Sequence, residues 1–69
     1  MKAMKKIYTL TESEGEEVKS ATSSHDIHVL VDWARRMFDL DPDEADELEM
    51  DRILVKDDII YTLIEGAII

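Results

Sequence analysis

The period of hydrophobic and polar positions changes several times along the chain. Ile7-Tyr8-Thr9-Leu10-Thr11 is rich in β-branched and aromatic side chains and predicts a strand. Glu12-Ser13-Glu14-Gly15-Glu16 is polar, with a glycine suited to a turn, and residues 18–22 form a weaker second strand that closes a hairpin. Next the spacing becomes helical. Ile27, Leu30, Val31, Ala34 and Phe38 share one face, which Val29, Trp33, Met37 and Leu40 widen to roughly 200°. His28, Asp32, Arg35, Arg36 and Asp39 hold the opposite face. Ser23-Ser24-His25-Asp26 offers the N-cap, with an acid three residues on. A stripe this wide exceeds what one small sheet needs, so the helix packs on two sides or offers part of itself to a second molecule.

Asp41-Pro42-Asp43-Glu44 starts a second helix. Aspartate caps, proline takes the first position, and acids fill the turn that the helix dipole favours. This helix is expected to end near Glu49. In the second half of the stretch 39–51 the chain runs toward a strand, where Leu48 and Met50 turn inward while Glu47, Glu49 and Asp51 face out. Ile53-Leu54-Val55 and Ile59-Ile60-Tyr61-Thr62-Leu63-Ile64 flank Lys56-Asp57-Asp58 and predict a hairpin, with the last strand ending at Glu65-Gly66. A continuous helix through 51–65 is the competing assignment. The expected fold class is α+β: a single domain over 1–69, ordered ββααββ, with a small antiparallel sheet packed on the one amphipathic helix at 27–38.

Sixty-nine residues make one marginal domain. A chain this short buries only about 60% of its unfolded surface, and about 3–10 kcal/mol of stability is expected. There is no cysteine, so no disulfide or thiolate zinc site assists, which leaves packing and self-association. Met1-Lys2-Ala3-Met4-Lys5-Lys6 is basic but is followed by too short an apolar stretch for a signal peptide, and no run is long enough to cross a membrane. The expected location is the cytoplasm, that of the host cell if the chain is phage-encoded.

The charge is distributed unevenly. Residues 1–38 carry six acids and six bases, whereas residues 39–69 carry eleven acids and two bases, so the whole formal charge of −9 lies in the second half. Eight of the thirteen residues at 39–51 are acidic and none is basic. Such a balance disfavours direct binding of nucleic acid or an anionic membrane. It favours a basic partner, a cation or simple solubility. If wholly helical, the run would carry one charge per about 2.4 Å, comparable with the one per about 1.7 Å of duplex DNA. Like charges three and four apart, as at Asp43 with Glu47 and Glu47 with Asp51, cost about 0.2–0.5 kcal/mol each. Mixed charges would give solubility at lower cost, which favours a binding role over a merely solvated face.

Other chemistry has less support. Asp39-x-Asp41-x-Asp43 opens like an EF-hand loop, but Glu44 stands where glycine is needed and Met50 where a bidentate glutamate is needed. His25, His28 and Asp32 fall within about 60° on one helix face and could approach a metal, but they lack a fourth ligand. The plainer reading pairs Asp32 with Arg35 or Arg36. No nucleophile motif or glycine-rich phosphate loop occurs, so no enzyme, cofactor or metal is expected.

A small, cysteine-free, acidic α+β chain with one dense carboxylate patch resembles the inhibitors encoded by phages and other mobile elements, anti-CRISPR proteins and other DNA mimics among them. The likeness covers charge, size and the cluster at 39–51. It implies an acidic surface lodged in a basic nucleic-acid-binding site of a partner, such as the CRISPR effector subunit that recognises target DNA next to the guide. Asp43, Glu44, Asp46, Glu47, Glu49 and Asp51 would make the contacts, with Asp57 and Asp58 from the hairpin turn. The alternative is an antitoxin-like or accessory interaction module. In that case Val29, Trp33, Met37 and Leu40, with Ile68-Ile69, mediate a homodimer and the acids serve solubility.

Overall fold

The structure, a computed structural model, describes the backbone of residues 5–68 and the side chains of residues 6–66. Six elements follow the expected order: β1 (Lys5–Glu14), β2 (Glu17–Ser24), α1 (Ile27–Met37), α2 (Pro42–Asp51), β3 (Ile53–Lys56) and β4 (Ile59–Ile68). The strands form one open antiparallel sheet in the order β2-β1-β4-β3, giving an α+β fold.

Both hairpins use two-residue turns that match the twist of their strands. Gly15 has φ +61° and starts the first, while Asp57 (φ 54°) and Asp58 (φ 67°) both take the left-handed conformation of a type I′ turn. The latter excludes a continuous helix over 51–65. β1 runs through Glu12 and Glu14 because each finds a partner across the hairpin. Ser20 Oγ donates to Glu12 Oε1 at 3.0 Å, and Lys19 lies 3.0 Å from Glu14. β4 likewise continues past Glu65-Gly66, since Gly66 pairs with Ile7 within the sheet.

The start of α1 differs from the expected one. Ser23 and Ser24 belong to β2, where they pair with Thr9 and Tyr8, and the cap falls to Asp26. Its Oδ1 accepts from the His28 amide at 2.9 Å and the Val29 amide at 3.4 Å. At the other end the Leu40 amide donates to the Arg35 carbonyl at 3.0 Å, with Asp39 left-handed at φ 54°. This is the Schellman arrangement, in which glycine is the usual residue at the position of Asp39. The Asp39 carboxylate also sits at the negative end of the helix dipole. Asp39→Gly is therefore expected to stabilise the chain by about 1 kcal/mol, a rise of roughly 4–8 °C in a thermal melt.

The second helix is longer than the pattern suggested. It continues through Asp51 and ends at Arg52, whose φ of 67° turns the chain back toward the sheet. The Arg52 carbonyl then accepts from the Leu63 amide at 2.8 Å. Helical phase turns Leu48 inward but leaves Met50 outward at 79% exposure, so Met50 is not an inward strand residue.

One face of the sheet holds the core. Leu10, Leu54, Tyr61 and Leu63 meet Leu30, Val31 and Ala34 of α1, Leu40 of the connection, and Ala45 and Leu48 of α2. Two helices cover this face, not one: α1 lies over β1 and β2, and α2 over β3 and β4. Trp33 packs edge-on against Phe38 (5.6 Å between ring centres), which stacks obliquely on Tyr61 at 4.8 Å.

No described helix covers the other face. Across the strands the pairing lines up Ala21, Thr11, Thr62 and Ile53 in one row, and Val18, Ser13, Ile60 and Val55 in the next. Thr11 and Ser13 turn their hydroxyls back to the carbonyls of Thr62 and Ile60 at 3.4 and 3.3 Å. None of these eight positions is charged.

Candidate functional site

Helix α2 rests on Ala45 and Leu48, and its period decides which acids face solvent. Asp43, Asp46, Glu47 and Asp51 all point away from the core and surround the exposed thioether of Met50. Among the described residues, none of these four acids lies within 4.0 Å of a basic group. From Asp43 to Asp51 the axis rises about 12 Å, so the outward face carries one unpaired charge per about 3–4 Å.

Two of the expected contact residues are already engaged inside the fold. Glu44 Oε1 accepts from the Asp41 amide at 2.8 Å and from Lys56 Nζ at 3.1 Å. The Asp41 amide first, and then Lys56, hold the Glu44 carboxyl below its ordinary range, and the same contact with Glu44 pushes the Lys56 ammonium up. Glu49, half-buried, lies 3.3 Å from His28 Nδ1. Their helical phase turns both toward the body of the protein, so Glu44 and Glu49 brace α2 while its four outward acids stand free.

The Lys56 contact also fixes the β3–β4 turn beside the start of α2, because Nζ donates to the Asp39 carbonyl at 2.9 Å. Asp57 and Asp58 are exposed at that turn, and Asp39 and Asp41 are exposed nearby. Asp57 and Asp58 therefore extend the acidic surface beyond the N-terminal end of α2. Of the six described lysines and arginines five pair with carboxylates, and Arg52, whose buried Nη1 has no hydrogen-bond partner, does not. Lys6 is 3.7 Å from Glu65, Arg35 and Arg36 both reach Asp32, and the Arg52 guanidinium lies 5.8 Å over the Tyr8 ring. Among the described residues, Asp43, Asp46, Glu47 and Asp51 are thus left without a paired base.

Glu44 gives a pH-dependent contribution whose direction follows from its lowered folded-state pKa. The ionised form favours folding, so the contribution is complete above the ordinary value of 4.5 and fades as pH falls through the lower folded value. Glu44→Ala should melt below the native chain at neutral pH. The gap between the two melting temperatures should narrow progressively once the pH drops below 4.5.

The other candidate residues separate. His25 Nδ1 lies 3.0 Å from the Lys6 carbonyl, His28 faces Glu49, and Asp32 holds two arginines, so the histidines and Asp32 do not converge. Among the described residues no three side chains of metal-binding type cluster. Of the expected apolar interface, Leu40 is core at 5% exposure and Trp33 is half-buried against Phe38. Only Val29 (59%) and Met37 (62%) present substantial surface. The side chains of Ile68 and Ile69 lie outside the described residues. No described helix is long and apolar enough to cross a membrane.

Two surfaces escaped the sequence reading. Strand alternation turns Met50 inward where the helix turns it out, and the uncharged sheet face spans four strands whose order the residues alone do not state. The sequence signal for that face is β4, where Ile60 and Ile64 stand on the side opposite Tyr61 and Leu63. No family model, curated protein or solved structure matches the chain.

Proposed function

We propose that the protein is a non-enzymatic inhibitor whose α2 surface occupies a basic nucleic-acid-binding site on a partner. The observation that supports this reading is the outward row Asp43, Asp46, Glu47 and Asp51, held on a folded helix without counter-charges among the described residues. Its spacing of one charge per about 3–4 Å resembles a single strand of duplex DNA, at one phosphate per about 3.4 Å. Asp57 and Asp58 lengthen the row at one end. A groove built for phosphates would meet this row with lysine and arginine, and Met50 would supply an apolar contact at its centre. A CRISPR effector subunit that reads target DNA is the kind of partner that the charge pattern fits.

Competition tests the reading. The tagged protein is incubated with bacterial lysate at low salt, and retained proteins are eluted with duplex DNA or with a salt gradient. Elution of a nucleic-acid-binding protein by both is the expected result. A retained partner that DNA does not displace would overturn the mimicry, even if salt releases it.

A further inference from the structure

We infer that the uncovered sheet face is a self-association surface, on which two copies pack sheet to sheet as an α-β-β-α sandwich with the helices outermost. This inference goes beyond the inhibitor reading and does not depend on it. Three observations point to the same occupant.

The first is the strand pattern. β4 carries Ile59, Tyr61 and Leu63 on one side and Ile60 and Ile64 about the uncharged Thr62 on the other, the two-sided pattern of strands covered on both faces. Tyr61 and Leu63 are buried under the helices, but Ile64 on the other face is 54% exposed. Val55 and Val18 are each 63% exposed at opposite edges of the same face, and Ile53 is 48% exposed.

The second is charge. The chain carries −9, yet the rows from Val18 across to Val55 and from Ala21 across to Ile53 contain no charged side chain. Two identical acidic molecules repel wherever their carboxylates meet. On this face they approach without placing like charges opposite one another. A basic partner would gain nothing from it electrostatically, whereas a second copy finds a matching uncharged surface.

The third is area. Four strands at about 4.8 Å and seven residues at about 3.3 Å give a patch of about 400 Å² per copy in projection. Side-chain relief raises the accessible area above that, toward the lower end of the about 1,200–2,000 Å² in total that specific interfaces bury. A modest, reversible dimer is the result to expect. Sheets packed this way lie about 10 Å apart, which leaves each α2 on an outer surface facing away from its twin.

Sedimentation of the purified chain tests the proposal from low-micromolar to near-millimolar concentration. The native chain should pass from monomer to dimer over that range, and dimerisation should tighten as salt rises from about 0.05 to 0.5 M, because screening relieves repulsion between the copies. Val55→Glu with Ile64→Glu should weaken it about a hundredfold, at tenfold per residue, so that the variant sediments as a monomer. Both positions face solvent in the monomer, and a native far-ultraviolet spectrum confirms that the variant folds. Val29→Glu, on the helix side, should dimerise as the native chain does. A native chain that stays monomeric throughout would overturn the proposal. So would a dimer that survives the double substitution or is lost with Val29→Glu. Loss of partner binding through α2 would leave these results unchanged, so the two readings fail separately.

Discussion

The chain carrying Asp43→Asn, Asp46→Asn, Glu47→Gln and Asp51→Asn together should bind its partner at least about a hundredfold more weakly and melt no lower than the native protein. The two effects have one cause. Among the described residues none of the four acids has a basic neighbour within 4.0 Å, so their removal breaks no described ion pair. It relieves repulsion between Asp43 and Asp46, Asp43 and Glu47, and Glu47 and Asp51, at about 0.2–0.5 kcal/mol each. The Asp51 charge at the negative end of the helix dipole is also removed, while the favourable first-turn charge of Asp43 is lost, and these nearly cancel. A net gain of roughly 1 kcal/mol is expected. A solvated acidic face would also show the gain in stability, but without the loss of binding. Lysate capture and a thermal melt on the same preparation therefore separate the two, and a variant that still captures its partner at native levels would remove α2 from the interface.

The second large effect concerns the fold. Leu48 is fully buried at the junction of α2 with the sheet, beside the equally buried Leu30. Leu48→Ala deletes buried methyl groups and leaves a cavity that the two-layer fold closes poorly, at a cost of about 2–5 kcal/mol. Against the roughly 3–10 kcal/mol available to a chain of this length, that is a large fraction of the total, and the denaturation midpoint should fall in proportion. Chemical denaturation followed by far-ultraviolet circular dichroism reads it directly. A midpoint within error of the native one would show that α2 contributes little to the core. The comparison is informative because Glu47 and Asp46 sit beside Leu48 on the same turns. A helix that presents four acids outward is held mainly by Ala45 and Leu48 inward, so the proposed binding surface and part of the core share ten residues.

Much of this was legible in the residues. Asp41-Pro42 announced the second helix because cap chemistry is local, and Asp57-Asp58 announced the hairpin because only a few residue types tolerate two left-handed positions in succession. The cap of α1 was misplaced because Ser23 and Ser24 have good capping side chains, but β1 holds them in register as a strand, and pairing is a non-local fact. Met50 lies two residues from Leu48, a spacing that a strand puts on one face and a helix on nearly opposite faces, and the helix runs on through Asp51. The distinction between free and engaged acids was not legible either. Glu44 and Glu47 look alike in sequence, yet Lys56, twelve residues beyond Glu44, takes only the first. The uncovered sheet face required the strand order, since Val18, Ser13, Ile60 and Val55 become neighbours only when the first and last strands meet in the centre.

That central pairing has a kinetic consequence. The two hairpins and the two helices each join residues close in sequence, but β1 and β4 join Glu14 to Ile59 and Lys5 to Ile68, 45 and 63 positions apart. Their pairing closes a loop containing every other element, and the entropy of that closure falls due before the central contacts repay it. Refolding is expected to be slow for so short a chain, with the two halves of the sheet meeting late. Until they meet, the apolar edges of both hairpins stand open, and the net negative charge then keeps unfinished copies apart.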